Sequence, residues 1–430
     1  MKIKKATKAA AVLSVTALAL MGCSSQQGAN GGSNGSTITL WTHNGGNKGE
    51  LAVVQEAVDG FNADNPDTQI KLTAFPQVAY NDSIVAAASS KDLPCILDLD
   101  GPIMPNWAWS GYLAPLELSK ETTADLLPST QGIYNNKLYS VGPYDTSLAI
   151  LARTSVLEKH NIRIPTVAKP WTLDEFNAAL EKLKGDSDFE YPIDLSVWDK
   201  AEWWPYAYAP MLQSFGGDLV DRKTFQSAKG KLNGPEAVKF GEWFQSVFKN
   251  GWASKTPTEG GSDFLQGKVP MVYAGGWKVL EAKKAFGDKE VSILPPVDFG
   301  QGAHVGGGSW QWGVSSTCSN PEAANKFIDY IMQDKYLVKY SDETGNFPAR
   351  SSALSATENY KEGGRLAPLF NISKEFALLR PATPGYAVMS SVFDKAMHDI
   401  MSGADVKTTL DQAVKDIDAN IQSNDGYRQQ

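Results

Sequence analysis

Phe264-Leu-Gln-Gly-Lys-Val-Pro-Met-Val-Tyr-Ala-Gly-Gly-Trp277 is the stretch on which the reading of the fold turns. Val269 to Tyr273 is a short apolar run with β-branched residues. The turn former Gly267 precedes it and Gly275-Gly276 closes it, so it reads as a buried strand. Trp277 follows at once, with Val279 and Leu280 at helical spacing. A strand ends, two residues without side chains leave room for something to approach the backbone, and an indole stands at the rim. In open α/β domains ligands collect beyond the carboxyl ends of the strands. An aromatic placed there is a flat apolar wall with one N–H donor, suited to the C–H face of a sugar ring. The alternative is a core tryptophan closing the strand–helix turn.

The chain on either side repeats the same alternation. Thr37 to Trp41 reads as a first strand, ending at His43-Asn44-Gly45-Gly46; Leu51, Val54, Val58 and Phe61 then share one helical face. Gln69 to Phe75 is a second strand, Tyr80 to Ser90 a helix, and Leu93 to Leu99 a third strand that ends at Asp98-Leu-Asp100-Gly-Pro102. Strand–helix–strand–helix–strand at this spacing predicts a parallel doubly wound sheet. Asn136 to Val141 and Leu148 to Arg153 are strand-like on either side of Gly142-Pro-Tyr-Asp145, a first crossing into a second domain. Gly306 to Val314 is a second crossing and Gly345 to Arg350 a third. Helices are predicted from Thr172, which caps with Glu175 three residues on, and over 202–216, 235–250, 321–332 and 387–401, with a last amphipathic helix carrying Leu410, Val414, Ile417 and Ile421.

The 430 residues suffice for two domains. Formal charge is −8, and setting aside residues 1–22, with four lysines and no acid, takes it to −12. An acidic body with scattered basic residues argues against nucleic acid. Met1 to Lys8 is basic, Ala9 to Leu20 is apolar, and Leu20-Met-Gly-Cys23 sets a small residue before a cysteine. This is a secretory signal peptide, its apolar run too short for a permanent span. Ser24 to Ser36 holds only small and polar residues and reads as a flexible tether.

Asp98 and Asp100, two apart on a strand, point to one face. They suit bidentate hydrogen bonding to vicinal sugar hydroxyls, or capping of the turn at Gly101-Pro102, or the carboxyl pair of a glycosidase, which needs a separation of roughly 5–5.5 or 6.5–9.5 Å. His43, His160, His304 and His398 are scattered without ligand spacing, so no metal is expected. No phosphate-binding loop appears, and no cofactor is expected. Asp145 sits at the first crossing, where a cleft role and a hinge role are both open. Trp310 and Trp312 flank the second crossing on one side of a strand. Arg350, at the third, suits a paired hydrogen bond to a sugar or an acid, or a structural salt bridge. Trp203 and Trp243 are assigned to the core.

With these pieces in order, the chain resembles the extracellular substrate-binding proteins of ABC sugar importers, the maltose-binding-protein-like family. The resemblance rests on Leu20 to Cys23 with its polar tether, Ile38 to Trp41, Phe264 to Trp277, Gly307 to Ser316, Asn320 to Phe327, Gly345 to Arg350, and the closing helices from Tyr386 to Ile421. It implies an α/β, two-lobed periplasmic-binding-protein-like fold with three chain crossings and a ligand cleft between the lobes. The lobes are expected at 37–145 plus 310–347 and at 146–309 plus 348–430, after a signal peptide at 1–22 and a lipid anchor and tether at 23–36. The same resemblance makes Cys23 the lipidated (palmitate-bearing) residue of a lipoprotein on the outer face of a bacterial membrane. It implies a monomer that binds an oligosaccharide and hands it to ABC permease subunits, and not an enzyme. The alternatives are a glycoside hydrolase using Asp98 or Asp100, and a receptor for a non-sugar solute. Local matching places Tyr206, Trp277 and Tyr386 against sugar rings, with Trp204 a further candidate. From the first lobe come His43, Asn44, Asp98, Asp100 and Trp107; Tyr80, Asp145, Gly276, Trp310 and Arg350 complete the set. The basic and acidic first-lobe partners of maltose-binding protein have no match here, which leaves the sugar unnamed. The family's strand order also sets the strands near Cys95 and Cys318 side by side and antiparallel, which implies a disulfide; two free buried thiols are the alternative.

Overall fold

The computed structural model describes residues 36–428. The expected signal peptide, Cys23 and all but the last residue of the tether lie outside the described residues.

Strand β1 (Ser36–Thr42) is followed by the helix Lys48–Asp64, whose Val53, Val54, Ala57, Val58 and Phe61 are buried on the sheet. Strand β2 (Thr68–Ala74) then pairs parallel to β1 along its whole length. The helix Gln77–Ser90 leads to β3 (Ile96–Asp100), parallel to β1 on its other side. β3 begins later than the sequence suggests because Pro94 lies just ahead and a proline has no N–H for the ladder. The short β4 (Leu113–Ala114) and the hairpin β5 (Gln131–Tyr134) and β6 (Lys137–Val141) complete the near half of the sheet.

The chain leaves this sheet through β7 (Tyr144–Asp145). A second sheet is built from β8 (Leu148–Arg153), β9 (Ile193–Asp194), β10 (Met271–Gly275) and β11 (Val291–Leu294), in the order β11-β8-β10-β9. β10 is the strand of the opening stretch. It starts at Met271 rather than Val269 because Pro270 cannot donate, and Gly275 caps the helix Gly276–Phe286 directly. After β12 (Val305–Gly306) the chain returns as β13 (Trp310–Ser315), which inserts antiparallel between β3 and β6. It leaves once more through β14 (Phe347–Pro348), paired with β7. Finally β15 (Ala377–Leu378) pairs with β12. Two sheets joined by three passages of the chain make a two-lobed α/β fold.

Local chemistry fixes the helix starts. Thr172 accepts from the Glu175 N–H while the Glu175 carboxylate accepts from the Thr172 N–H, a complete capping box. Asn320 and Asp405 cap the helices Pro321–Ile331 and Val406–Ser423 from one side only, their side chains accepting from the Ala323 and Thr408 N–H groups. Cys95 and Cys318 are disulfide-bonded, 4.4 Å apart at Cα. The bond pins the edge of β3 to the end of β13, whose register pairs Val314 with Ile96.

Candidate functional site

The carboxyl ends of β1 and β3 and the amino end of the antiparallel β13 meet at a buried polar cluster. The Asp98 carboxylate accepts from Thr42 Oγ1 at 2.6 Å and from the His43 backbone N–H at 3.1 Å, and it lies 2.7 Å from His43 Nδ1. Trp310 stacks on the His43 ring, with centroids 3.6 Å apart and planes 9° apart. Behind them Glu50 accepts from the Tyr144 hydroxyl at 3.2 Å and stands 3.8 Å from His43 Nε2. Burial alone would lower the His43 pKa; the facing Asp98, with Glu50 behind it, holds it above the usual histidine value. Burial pushes Glu50 up, against His43 and the Tyr144 hydrogen bond. Asn44 Oδ1 and Trp312 Nε1, both buried here, have no partner. A polar ligand group or a water is what such a pair of orphan atoms accommodates.

Asp100 ends β3 on the same face but is engaged differently. Its two oxygens take both Nη atoms of Arg380, at 2.9 and 3.1 Å. Arg380 follows β15, in the second lobe, and its Nη1 also donates to Glu202 Oε1 at 2.6 Å. Glu202 stands at the start of the helix Trp203–Phe215 and accepts from the hydroxyls of Tyr386 and Ser390. The guanidinium carbon of Arg380 lies 4.9 Å over the Tyr206 ring. Tyr206 and Tyr386 are therefore brought together by one ion network that spans both lobes. Burial opposes charge on Arg380, but Asp100 and Glu202 hold its pKa far above the usual range; burial raises Glu202, with Arg380 opposing.

Trp203 stands between these tyrosines and Trp277. Its ring centre is 6.0 Å from that of Tyr206 and 6.5 Å from that of Trp277, edge-on to both. Trp277 is 38% exposed, and its six-membered ring folds over Gly275 so closely that a Cβ there would meet Cζ3 at 2.1 Å. Gly276 sits against the first lobe: a Cβ on it would lie 2.2 Å from the carbonyl oxygen of Gly345, which caps the helix Asp334–Thr344. Two backbones touch across the lobes because neither residue carries a side chain.

Other candidates fall elsewhere. Trp204 is fully buried in the second-lobe core, against Tyr208, Phe244 and His398, with its N–H on Asp199 O. Arg350 donates to the Thr122 carbonyl at 2.9 Å and pairs with Asp334, a structural salt bridge away from the carboxylates of the cleft. Tyr80 lies beneath the strand ends, its hydroxyl donating to Asp98 O at 2.7 Å. Trp107 is buried on the short helix Met104–Trp109, whose Asn106 side chain donates across the lobes to Pro384 O at 2.8 Å. Asp145 ties two crossings together, accepting from the N–H groups of Thr146 at 2.7 Å and Gly308 at 2.9 Å and from the Ser129 hydroxyl. Burial raises its pKa against those donors. Arg380, Glu202 and Glu50 were not among the sequence candidates. Among the described residues no group of three or more His, Cys, Asp or Glu is arranged to hold a metal, and no helix is long and apolar enough to cross a membrane.

Residues 56–368 match the sequence pattern of the bacterial extracellular solute-binding protein family. The chain belongs to this family. The solute-binding protein is 25% identical to the maltotriose-binding protein of Pyrococcus abyssi over 87% of its own length and 80% of that protein's. It is 24% identical to a maltooligosaccharide ABC transporter solute-binding lipoprotein of Streptococcus pneumoniae over 98% and 99%. Among solved structures, the GacH receptor of Streptomyces glaucescens, studied unliganded and with acarbose, superposes with a TM-score of 0.76 at 22% identity, covering 91% of this chain and 99% of that one. Two lobes with a cleft between them are the shared architecture.

Proposed function

We propose that this solute-binding protein takes a neutral oligosaccharide between its lobes and delivers it to the permease of an ABC importer, anchored to the outer membrane face as a monomer by lipid on Cys23 after removal of residues 1–22. The observation that carries the reading is the meeting of aromatic faces from one lobe with carboxylates from the other. Tyr206, Tyr386 and Trp277 stand on the second lobe, and Asp98 and Asp100 end a strand of the first. Rings stack on the aromatics while hydroxyls donate to the charged acceptors. A ligand gripped by both walls has its full set of contacts only in the closed form, so its differential affinity favours that form over the open one. Relatives named for maltotriose and maltooligosaccharides support a sugar as the solute.

The lobes are divided at 37–145 plus 310–347 and 146–309 plus 348–430, with Asp145 and Gly308 at the hinge. Within this reading Tyr206, Tyr386, Trp277, Gly276, His43, Asn44, Asp98, Asp100 and Trp310 serve the ligand. Trp204 and Arg350 serve the framework. A hydrolase is disfavoured because the chain's family is one of solute-binding proteins and its relatives are named for binding maltotriose and maltooligosaccharides. Tryptophan fluorescence against a panel of neutral oligosaccharides, peptides and polyamines tests the proposal. Saturable change with a sugar alone is the expected result; saturation by a peptide or polyamine alone would overturn it.

A further inference from the structure

We infer that Arg380 is a built-in latch: its guanidinium bridges Asp100 of the first lobe and Glu202 of the second and covers the face of Tyr206, so the lobes close on the protein's own side chain and an entering sugar has to displace it. The inference rests on the reading of the cleft as a sugar site, but the latch itself is a property of the free protein.

Four observations carry it. The bridge is bidentate to Asp100, at 2.9 and 3.1 Å, and reaches Glu202 at 2.6 Å from the same nitrogen. Paired N–H donors on a carboxylate are the strong geometry. The side chain of Arg380 is 7% exposed and that of Asp100 is 9% exposed, so solvent screens the pair little. The guanidinium occupies the layer 4.9 Å above Tyr206, which is the layer a stacked sugar ring needs. The latch is also imperfect. Arg380 Nε and the Tyr206 hydroxyl are buried without partners, which costs free energy in the latched form. A ring bearing hydroxyls on both edges, entering as the guanidinium swings out, would satisfy Tyr206 and give Asp100 and Glu202 new donors.

Without the cation, two carboxylates from opposite lobes face each other and favour opening. The backbone immediately before Arg380 is held, by pairing of β15 with β12 and by the Arg222 bond to Leu379 O at 2.7 Å. Release therefore needs side-chain torsions rather than a loop movement.

The test is solution X-ray scattering of the sugar-free protein and of Arg380→Gln, with calorimetric titration of both. The free wild type should scatter as the compact form and Arg380→Gln as a more open one. Sugar affinity of the variant should tighten by about three- to tenfold, since the competitor is gone. Equal radii of gyration without sugar would overturn the latch, and weakened affinity would make Arg380 a ligand contact instead of a competitor. Asp100→Asn, read by scattering alone, breaks the same bridge from the other lobe should Arg380→Gln fail to fold. If no sugar binds either protein, the scattering still decides the latch while the proposed function falls separately.

Discussion

Replacing Trp277 by alanine removes the most accessible aromatic at the cleft mouth. The indole is 38% exposed. A tryptophan presents on the order of 250 Å², so roughly 95 Å² of that side chain is open to a ligand. A sugar ring covering half to nearly all of it removes about 50–90 Å² from water, which at about 25 cal/mol per Å² is worth about 1.2–2.2 kcal/mol. The dissociation constant of Trp277→Ala should therefore rise roughly 8- to 40-fold. The assay is calorimetric titration with the tightest sugar of the panel, with thermal unfolding run in parallel because Trp277 also packs over Gly275 and against Trp203. Trp277→Phe should recover part of the loss, since a smaller flat face remains. An affinity within twofold of wild type in a folded Trp277→Ala protein would remove this residue from the site.

Three further outcomes follow from the geometry. Gly276→Ala places a methyl 2.2 Å from Gly345 O and should hold the lobes apart, weakening sugar binding at least about tenfold and enlarging the radius of gyration of the sugar-bound protein; unchanged affinity would show that this contact does not gate closure. Asp194, buried with Oδ2 unpartnered, has its pKa raised to about 6. The folded protein then holds a proton that the unfolded chain releases near pH 4, so stability falls as pH rises from about 4 to about 6, by no more than about 3 kcal/mol. Asp194→Asn keeps the acceptor for the Ser196 N–H at 2.7 Å and should flatten that slope in thermal unfolding. The Cys95–Cys318 bond closes 223 residues, worth about 5 kcal/mol in the chain-entropy treatment; reduction should lower the unfolding midpoint, and thiol titration of the denatured, unreduced protein should find neither cysteine free.

The opening stretch was legible because an unbroken apolar run gives way to helical spacing at two glycines, and the structure turns there from β10 into a helix. The aromatic run Trp203-Trp-Pro-Tyr-Ala-Tyr208 was less so. This helix is buried on nearly all sides, so hydrophobic periodicity marks no outward face. Trp204 and Tyr206 are two residues apart, about 200° around an α-helix, and cannot both face the cleft. Tyr206 meets Arg380, and Trp204 goes to the core. Arg380 and Glu202 left no local signal. They are 178 residues apart, and a lone glutamate at a helix start reads as an ordinary complement to the helix dipole. Only the packing of the lobes brings them together. Arg350 had two readings for a related reason, and the structure shows the salt bridge rather than the ligand contact: the Thr122 carbonyl and Asp334 claim its guanidinium.

The most direct measurement is scattering of the protein titrated with maltotriose and with a galactose-containing oligosaccharide, alongside calorimetry of the same samples. Saturable heat from at least one of them, with the compact form fully populated at saturation, is the expected result. Absence of heat from every neutral oligosaccharide, together with tight binding of a peptide or a polyamine, would contradict the account.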